Sequence, residues 1–79
     1  MDFFALENLM KNGAHLVLSY NDDYYQKFIN LAQICYEKGV TLTLKVKAND
    51  FKNSSKNIKI HLGKIVEKGH RFITFDISE

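Results

Sequence analysis

The sequence predicts a small two-layer α/β domain, with helices on one face of a three-stranded, mainly parallel sheet. A helix-like stretch, a glycine and an apolar strand follow one another three times, as LMKNG-AHLVLSY, ICYEKG-VTLTLKV and IVEKG-HRFITFDI. The second and third of these strands alternate apolar and polar residues, which is typical of a sheet with one buried face. Because strand–helix–strand connections are almost always right-handed, the crossover helices fall on the same face when successive strands are neighbours.

The length and composition predict one domain, spanning residues 1–79. A chain of 79 residues has no room for a second core, and its hydrophobic fraction of 46% is ample for one. No apolar run approaches the roughly 18 residues that a membrane-spanning helix needs. The single cysteine, Cys35, cannot form an internal disulfide, so we expect a cytoplasmic location.

The first predicted unit combines a helix over 2–11 with a strand over 15–20. Asp2 is a good N-cap for this helix. Gly13 follows the helix, where a glycine can adopt the left-handed conformation at no steric cost, and Gly39 and Gly69 are assigned the same role in the later units. The apolar face of the first helix consists of Phe3, Leu6 and Met10.

The second predicted unit combines a helix over 22–38 with a strand over 40–46. The helix has a wide apolar face, which suits a position between two other helices. Its central residues are Tyr24, Phe28, Leu31, Ala32 and Cys35. In the strand, Val40, Leu42, Leu44 and Val46 are expected to point to the core, and Thr41, Thr43 and Lys45 away from it.

The third predicted unit begins after a polar loop over 47–53. A helix is expected from Ser54 or Ser55 to Lys68, and the last strand over 71–77. An alternative exists for 57–62, because N-I-K-I-H-L also alternates with period two. That segment would then form an extra antiparallel strand of an α+β fold. The threefold helix–glycine–strand pattern favours the helix.

The preferred function is a non-catalytic interaction module. Parallel sheets are normally covered on both faces, whereas this arrangement leaves one face bare. We expect that face, or an open edge strand, to bind a protein partner or a second copy of the chain. The predicted partner-binding residues are Val17, Thr41, Thr43, Lys45, Phe72 and Thr74.

The alternative function is nucleic-acid binding. The segment 45–71 carries a net charge of +6, while the rest of the chain carries −4 of the total of +2. A basic segment with aromatic residues is a feature of single-strand binders. The residues assigned to this alternative are Lys47, Lys52, Lys56, Lys59 and Arg71, with Phe51 and Phe72 as stacking platforms.

The sequence assigns no catalytic, cofactor-binding or metal-binding residue, and no enzyme activity or small-molecule substrate is predicted. It contains no G-x-G-x-x-G or P-loop pattern. Cys35 is interpreted as a core residue, and the three histidines as surface residues without metal-binding spacing. A less favoured hypothesis places a divalent cation between Asp22, Asp50 and Asp76, at the carboxyl ends of the strands.

Overall fold

The computed structural model describes residues 1–52 and 57–78, which form one helical layer on a parallel sheet. Its elements in chain order are α1 (Phe3–Lys11), β1 (Leu16–Ser19), α2 (Tyr25–Lys38), β2 (Leu42–Lys47), α3 (Ala48–Lys52), α4 (Ile58–Gly69) and β3 (Ile73–Ser78). Short 3₁₀ turns, Asp22–Tyr24 and His70–Phe72, precede α2 and β3.

The sheet confirms the predicted parallel direction of the strands, and it shows that successive strands are neighbours. Its strands lie in the order β1-β2-β3, and both neighbouring pairs are parallel. The register aligns Leu16 with Leu42 and Ile73 in one row. Two residues further along the strands, a second row on the same face aligns Leu18 with Leu44 and Phe75. These rows make up the inner face of the sheet, which packs against the helices.

The core lies between the inner face and helices α1, α2 and α4. Leu42 and Leu44 of β2 are fully buried, because this strand is central in the sheet. The largest fully buried side chains are Phe28, Met10, Leu31, Leu42, Leu44, Ile65 and Cys35. Within the residues that the structure describes, no helix combines the length and apolarity needed to cross a membrane.

The beginnings of the first two helices show how local polar groups set their limits. Asp2 caps α1 as predicted, since its carboxylate accepts a hydrogen bond of 3.1 Å from the Ala5 N–H. The second helix begins later than predicted, because the Asn21 side chain accepts from the Asp23 N–H and caps a 3₁₀ turn instead. The tighter 3₁₀ winding takes Tyr24 out of the buried face, and it is 47% exposed.

The segment between β2 and β3 differs from the prediction in one part. The predicted loop contains α3, whose Phe51 is half-buried against the core. The predicted helix start at Ser54 or Ser55 lies outside the described residues. The alternative antiparallel strand over 57–62 is wrong, because this segment belongs to α4. Helical spacing places Ile58, Leu62 and Ile65 together in the core.

The three pattern glycines do not share one role. Gly13 and Gly39 adopt positive φ angles of 98° and 70°, as predicted for left-handed helix ends. The prediction for Gly69 is wrong, since its φ is −100° and the next residue, His70, adopts the positive φ of 52°. A Cβ at Gly69 would overlap Ile73 Cγ1, so this glycine permits close packing of α4.

Candidate functional site

The face of the sheet opposite the helices is open to solvent in the part of the chain that the structure describes. We call it the outer face; its residues are Val17, Ser19, Thr41, Thr43, Lys45, Lys47, Thr74 and Asp76. Val17 is 61% exposed, and only Thr43, in the middle of the central strand, is partly buried. One row across this face joins Val17, Thr43 and Thr74, and the next joins Ser19, Lys45 and Asp76.

Five of the six predicted partner-binding residues lie on the outer face, and Phe72 does not. Phe72 belongs to the 3₁₀ turn before β3 and is half-buried against the core. Its ring centroid lies 6.5 Å from that of Tyr36 on α2. The alternation that predicted an outward Phe72 does not apply, because β3 begins only at Ile73.

The described basic residues of the nucleic-acid alternative do not all form one patch, although Lys47 and Lys52 line one small pocket. Lys47 ends β2, whereas Arg71 precedes β3 and lies 5.0 Å from the Phe72 ring centroid. Because the two strands are parallel, these residues lie at opposite ends of the sheet. Lys59 lies 5.5 Å from the ring centroid of the half-buried Phe51. Lys52 ends α3, and Lys56 lies outside the described residues.

A cleft at the carboxyl ends of the strands is the second candidate site. This is where ligands bind in open α/β sheets. Its polar lining comes from the strand ends, the turn before α2, α3 and the beginning of α4. These residues are Ser19, Tyr20, Asn21, Asp22, Asp23, Lys45, Lys47, Asp50, Asn57, His61 and Ser78. We refer to it as the carboxyl-end cleft.

Two side chains in the carboxyl-end cleft, Tyr20 and His61, contact the same carboxylate oxygen of Asp22. The Tyr20 hydroxyl donates to Asp22 Oδ1 over 2.6 Å, and His61 Nδ1 lies 2.9 Å from the same atom. Burial, followed by the hydrogen bond to Asp22, raises the pKa of Tyr20 well above its usual value of 10.0. The phenol therefore keeps its proton and remains a donor.

The imidazole of His61 is held from a second side. The Tyr25 ring of α2 stacks on it, with 3.9 Å between the ring centroids and 15° between the planes. The side chains of His61 and Asp22 retain 28% and 26% exposure, respectively. The ring is therefore fixed in orientation and still accessible to a small molecule in the carboxyl-end cleft.

Tyr20 and Asp22 were predicted from the sequence to lie at this end of the sheet, whereas His61 was interpreted as a surface residue. Asp22 and His61 are 39 positions apart in the sequence. Their contact depends on how α4 lies against α2, which no local pattern specifies. A polar residue beside the buried stripe of α4 was the only sequence signal for His61.

The cation hypothesis gains no support from the geometry. Asp22 and Asp50 line the carboxyl-end cleft, whereas Asp76 points to the outer face. Residues 1–52 and 57–78 contain no group of three His, Cys, Asp or Glu side chains placed to hold a metal ion.

Cys35 is buried on α2, as predicted for a core residue. Burial raises the pKa of its thiol from 9.0 to about 11. A thiol with a raised pKa is a poor nucleophile at neutral pH, because little of it is ionised.

Comparison with protein families, with curated proteins and with solved structures found no match to this chain.

Proposed function

We propose that this chain is an interaction module whose outer face binds a second copy of itself. The observation that supports the proposal is the solvent exposure of one whole face of a parallel sheet. Parallel sheets are buried on both faces in almost all known α/β proteins. A partner that covers the outer face would give this sheet its usual environment.

The pattern of side chains on the outer face suits a two-fold contact. The row Val17–Thr43–Thr74 carries no charge, and its apolar member is the exposed Val17. When two outer faces meet with antiparallel strands, this row can oppose itself about the axis, as a self-complementary interface requires. Lys45 of one copy then lies opposite the Thr41 end of the other, away from its own equivalent.

The basic side chains support nucleic-acid binding less well. Lys47 and Arg71 lie at opposite ends of the sheet, and both candidate stacking rings are half-buried. The β1 and β3 edges of the sheet offer a different dimer, by strand addition. Val17→Asp distinguishes that dimer from the proposed one.

The proposal is tested by light scattering on the eluate of a size-exclusion column, over a range of protein concentrations. We expect the wild-type chain to form a dimer and Val17→Asp to be monomeric, because the substitution buries an unpaired carboxylate in the contact. Phe4→Asp is the matched control, since Phe4 is 75% exposed on α1, in the helical layer. It should leave the dimer intact.

Two results would overturn the proposal. The first is a wild-type chain that stays monomeric at millimolar concentration. The second is a dimer that persists in Val17→Asp, which would indicate pairing through an edge strand. Circular dichroism of both variants checks that each retains the fold.

A further inference from the structure

We propose that His61 is a phosphoryl-acceptor residue, whose Nε2 attacks the phosphorus of a small phosphoryl donor in the carboxyl-end cleft. The carboxyl-end cleft adjoins the outer face at Ser19, Lys45 and Lys47, but the chemistry proposed for His61 does not depend on the proposed dimer. It follows from the hydrogen bonds of the histidines and from the charges that line the carboxyl-end cleft.

The contact with Asp22 determines which nitrogen of His61 carries the proton. Asp22 Oδ1 already accepts from the Tyr20 hydroxyl, and an ionised carboxylate can only accept. The His61 Nδ1, at 2.9 Å, must therefore be the donor. In the neutral ring the proton lies on Nδ1, so Nε2 carries the lone pair.

His15 has the opposite arrangement and provides an internal comparison. The backbone N–H of Thr41 donates to His15 Nδ1 over 2.9 Å. This Nδ1 is therefore the acceptor, and the neutral ring carries its proton on Nε2. The two histidines are thus assigned different tautomers, and only His61 presents a nucleophilic Nε2 in the carboxyl-end cleft.

Two charged groups of the carboxyl-end cleft are of the kind that contacts a phosphoryl group. Lys45 and Lys47 line it, and lysine ammonium groups are common partners of phosphate oxygens. Asp23 and Asp50 also line it, while the charge of Asp22 is engaged by the hydrogen bonds from Tyr20 and His61. Lys45 and Lys47 are therefore the groups that would contact the phosphoryl oxygens, although Asp23 and Asp50 balance their charge.

The transfer step balances without any further reactant. The Nε2 lone pair forms the new N–P bond, and the bond from phosphorus to the leaving group breaks with its electron pair. With phosphoramidate as the donor, the leaving group is ammonia. The product ring holds a proton on Nδ1 and a phosphoryl group on Nε2, so it is positively charged. The Asp22 carboxylate stabilises that charge at hydrogen-bonding distance.

The first test incubates the full chain with phosphoramidate and locates the phosphoryl group by mass spectrometry and ³¹P NMR. We expect one phosphohistidine, at Nε2 of His61, with His15 and His70 unmodified. His61→Asn should abolish the signal, and the matched variant His15→Asn should leave it unchanged. Equal modification of the three histidines would overturn the proposal, as would an unmodified wild-type chain.

A second test is independent of any variant that fails to fold. Two-bond ¹H–¹⁵N correlation spectra of the wild-type chain report the tautomer of each histidine. We expect Nδ1–H for His61 and Nε2–H for His15; the reverse result for His61 would refute the mechanism.

A third test uses the variant Asp22→Asn, which keeps the shape of the side chain but removes its charge, so phosphorylation should slow on the order of tenfold. An unchanged rate would contradict the role assigned to Asp22.

Discussion

At the scale of single residues, the two glycines of α4 have opposite roles. Gly63 lies on the exposed side of the helix, and a Cβ there would meet no atom within 4 Å. Gly69 is buried, and a Cβ there would overlap Ile73 Cγ1 and lie 3.3 Å from Ala32 Cβ. The same substitution should therefore change stability in opposite directions at the two positions.

We predict that Gly69→Ala lowers the free energy of unfolding by about 1–3 kcal/mol, because it overpacks the contact with α2 and β3. Gly63→Ala should raise it by about 1 kcal/mol, since alanine is the better helix former in an open position. Urea denaturation of both variants measures the two changes. Equal effects of the two substitutions would show that α4 does not approach Ile73 as described.

Gly13, Gly39 and Gly69 show which structural features can be predicted from the sequence and which cannot. A glycine after an amphipathic stretch predicted the left-handed conformations of Gly13 and Gly39, because the cause is local. Gly69 has the same sequence context, yet its role comes from tertiary contacts with Ala32 and Ile73. The contact of His61 with Asp22 was missed for the same reason.

At the scale of elements, the central strand β2 contributes most to the sheet core. It pairs with both neighbours, and its inner side chains are at most 3% exposed over 42–46. Its alternation was legible in the sequence, because one face is buried and the other is not. The short helix α3 was not predicted, since five residues give no helical period to recognise.

Leu44→Ala tests the importance of β2. Leu44 is fully buried, so we expect the free energy of unfolding to fall by about 3 kcal/mol, because buried methyl groups are removed and a cavity is left in the core. Leu9→Ala is the matched control, because Leu9 is 51% exposed on α1. It should cost no more than about 0.5 kcal/mol. Denaturant unfolding gives both values, and a similar cost for the two leucines would argue against a central β2.

At the scale of the whole molecule, small size makes stability sensitive to single groups. A chain of 79 residues buries only about 60% of its unfolded surface, so we expect a free energy of unfolding of about 5 kcal/mol. The free energy needed to ionise one buried side chain is a considerable fraction of that value. Cys35, fully buried beneath the sheet, is such a group.

The pH dependence of global stability should therefore include a contribution from Cys35. Burial raises its pKa from 9.0 to about 11, so the folded state favours the neutral thiol. The resulting stability is fully present below pH 9 and is lost as the pH rises towards 11. By linkage, the loss between pH 8 and pH 10 is about 1 kcal/mol. Cys35→Ala removes this contribution while every other titrating group remains, so its unfolding free energy should fall less steeply over the same interval. Denaturant unfolding of the two proteins at pH 8, 9 and 10 measures the difference in slope. Parallel curves would show that the thiol is ionised as readily in the folded chain as in the unfolded one. That result would contradict the burial of Cys35.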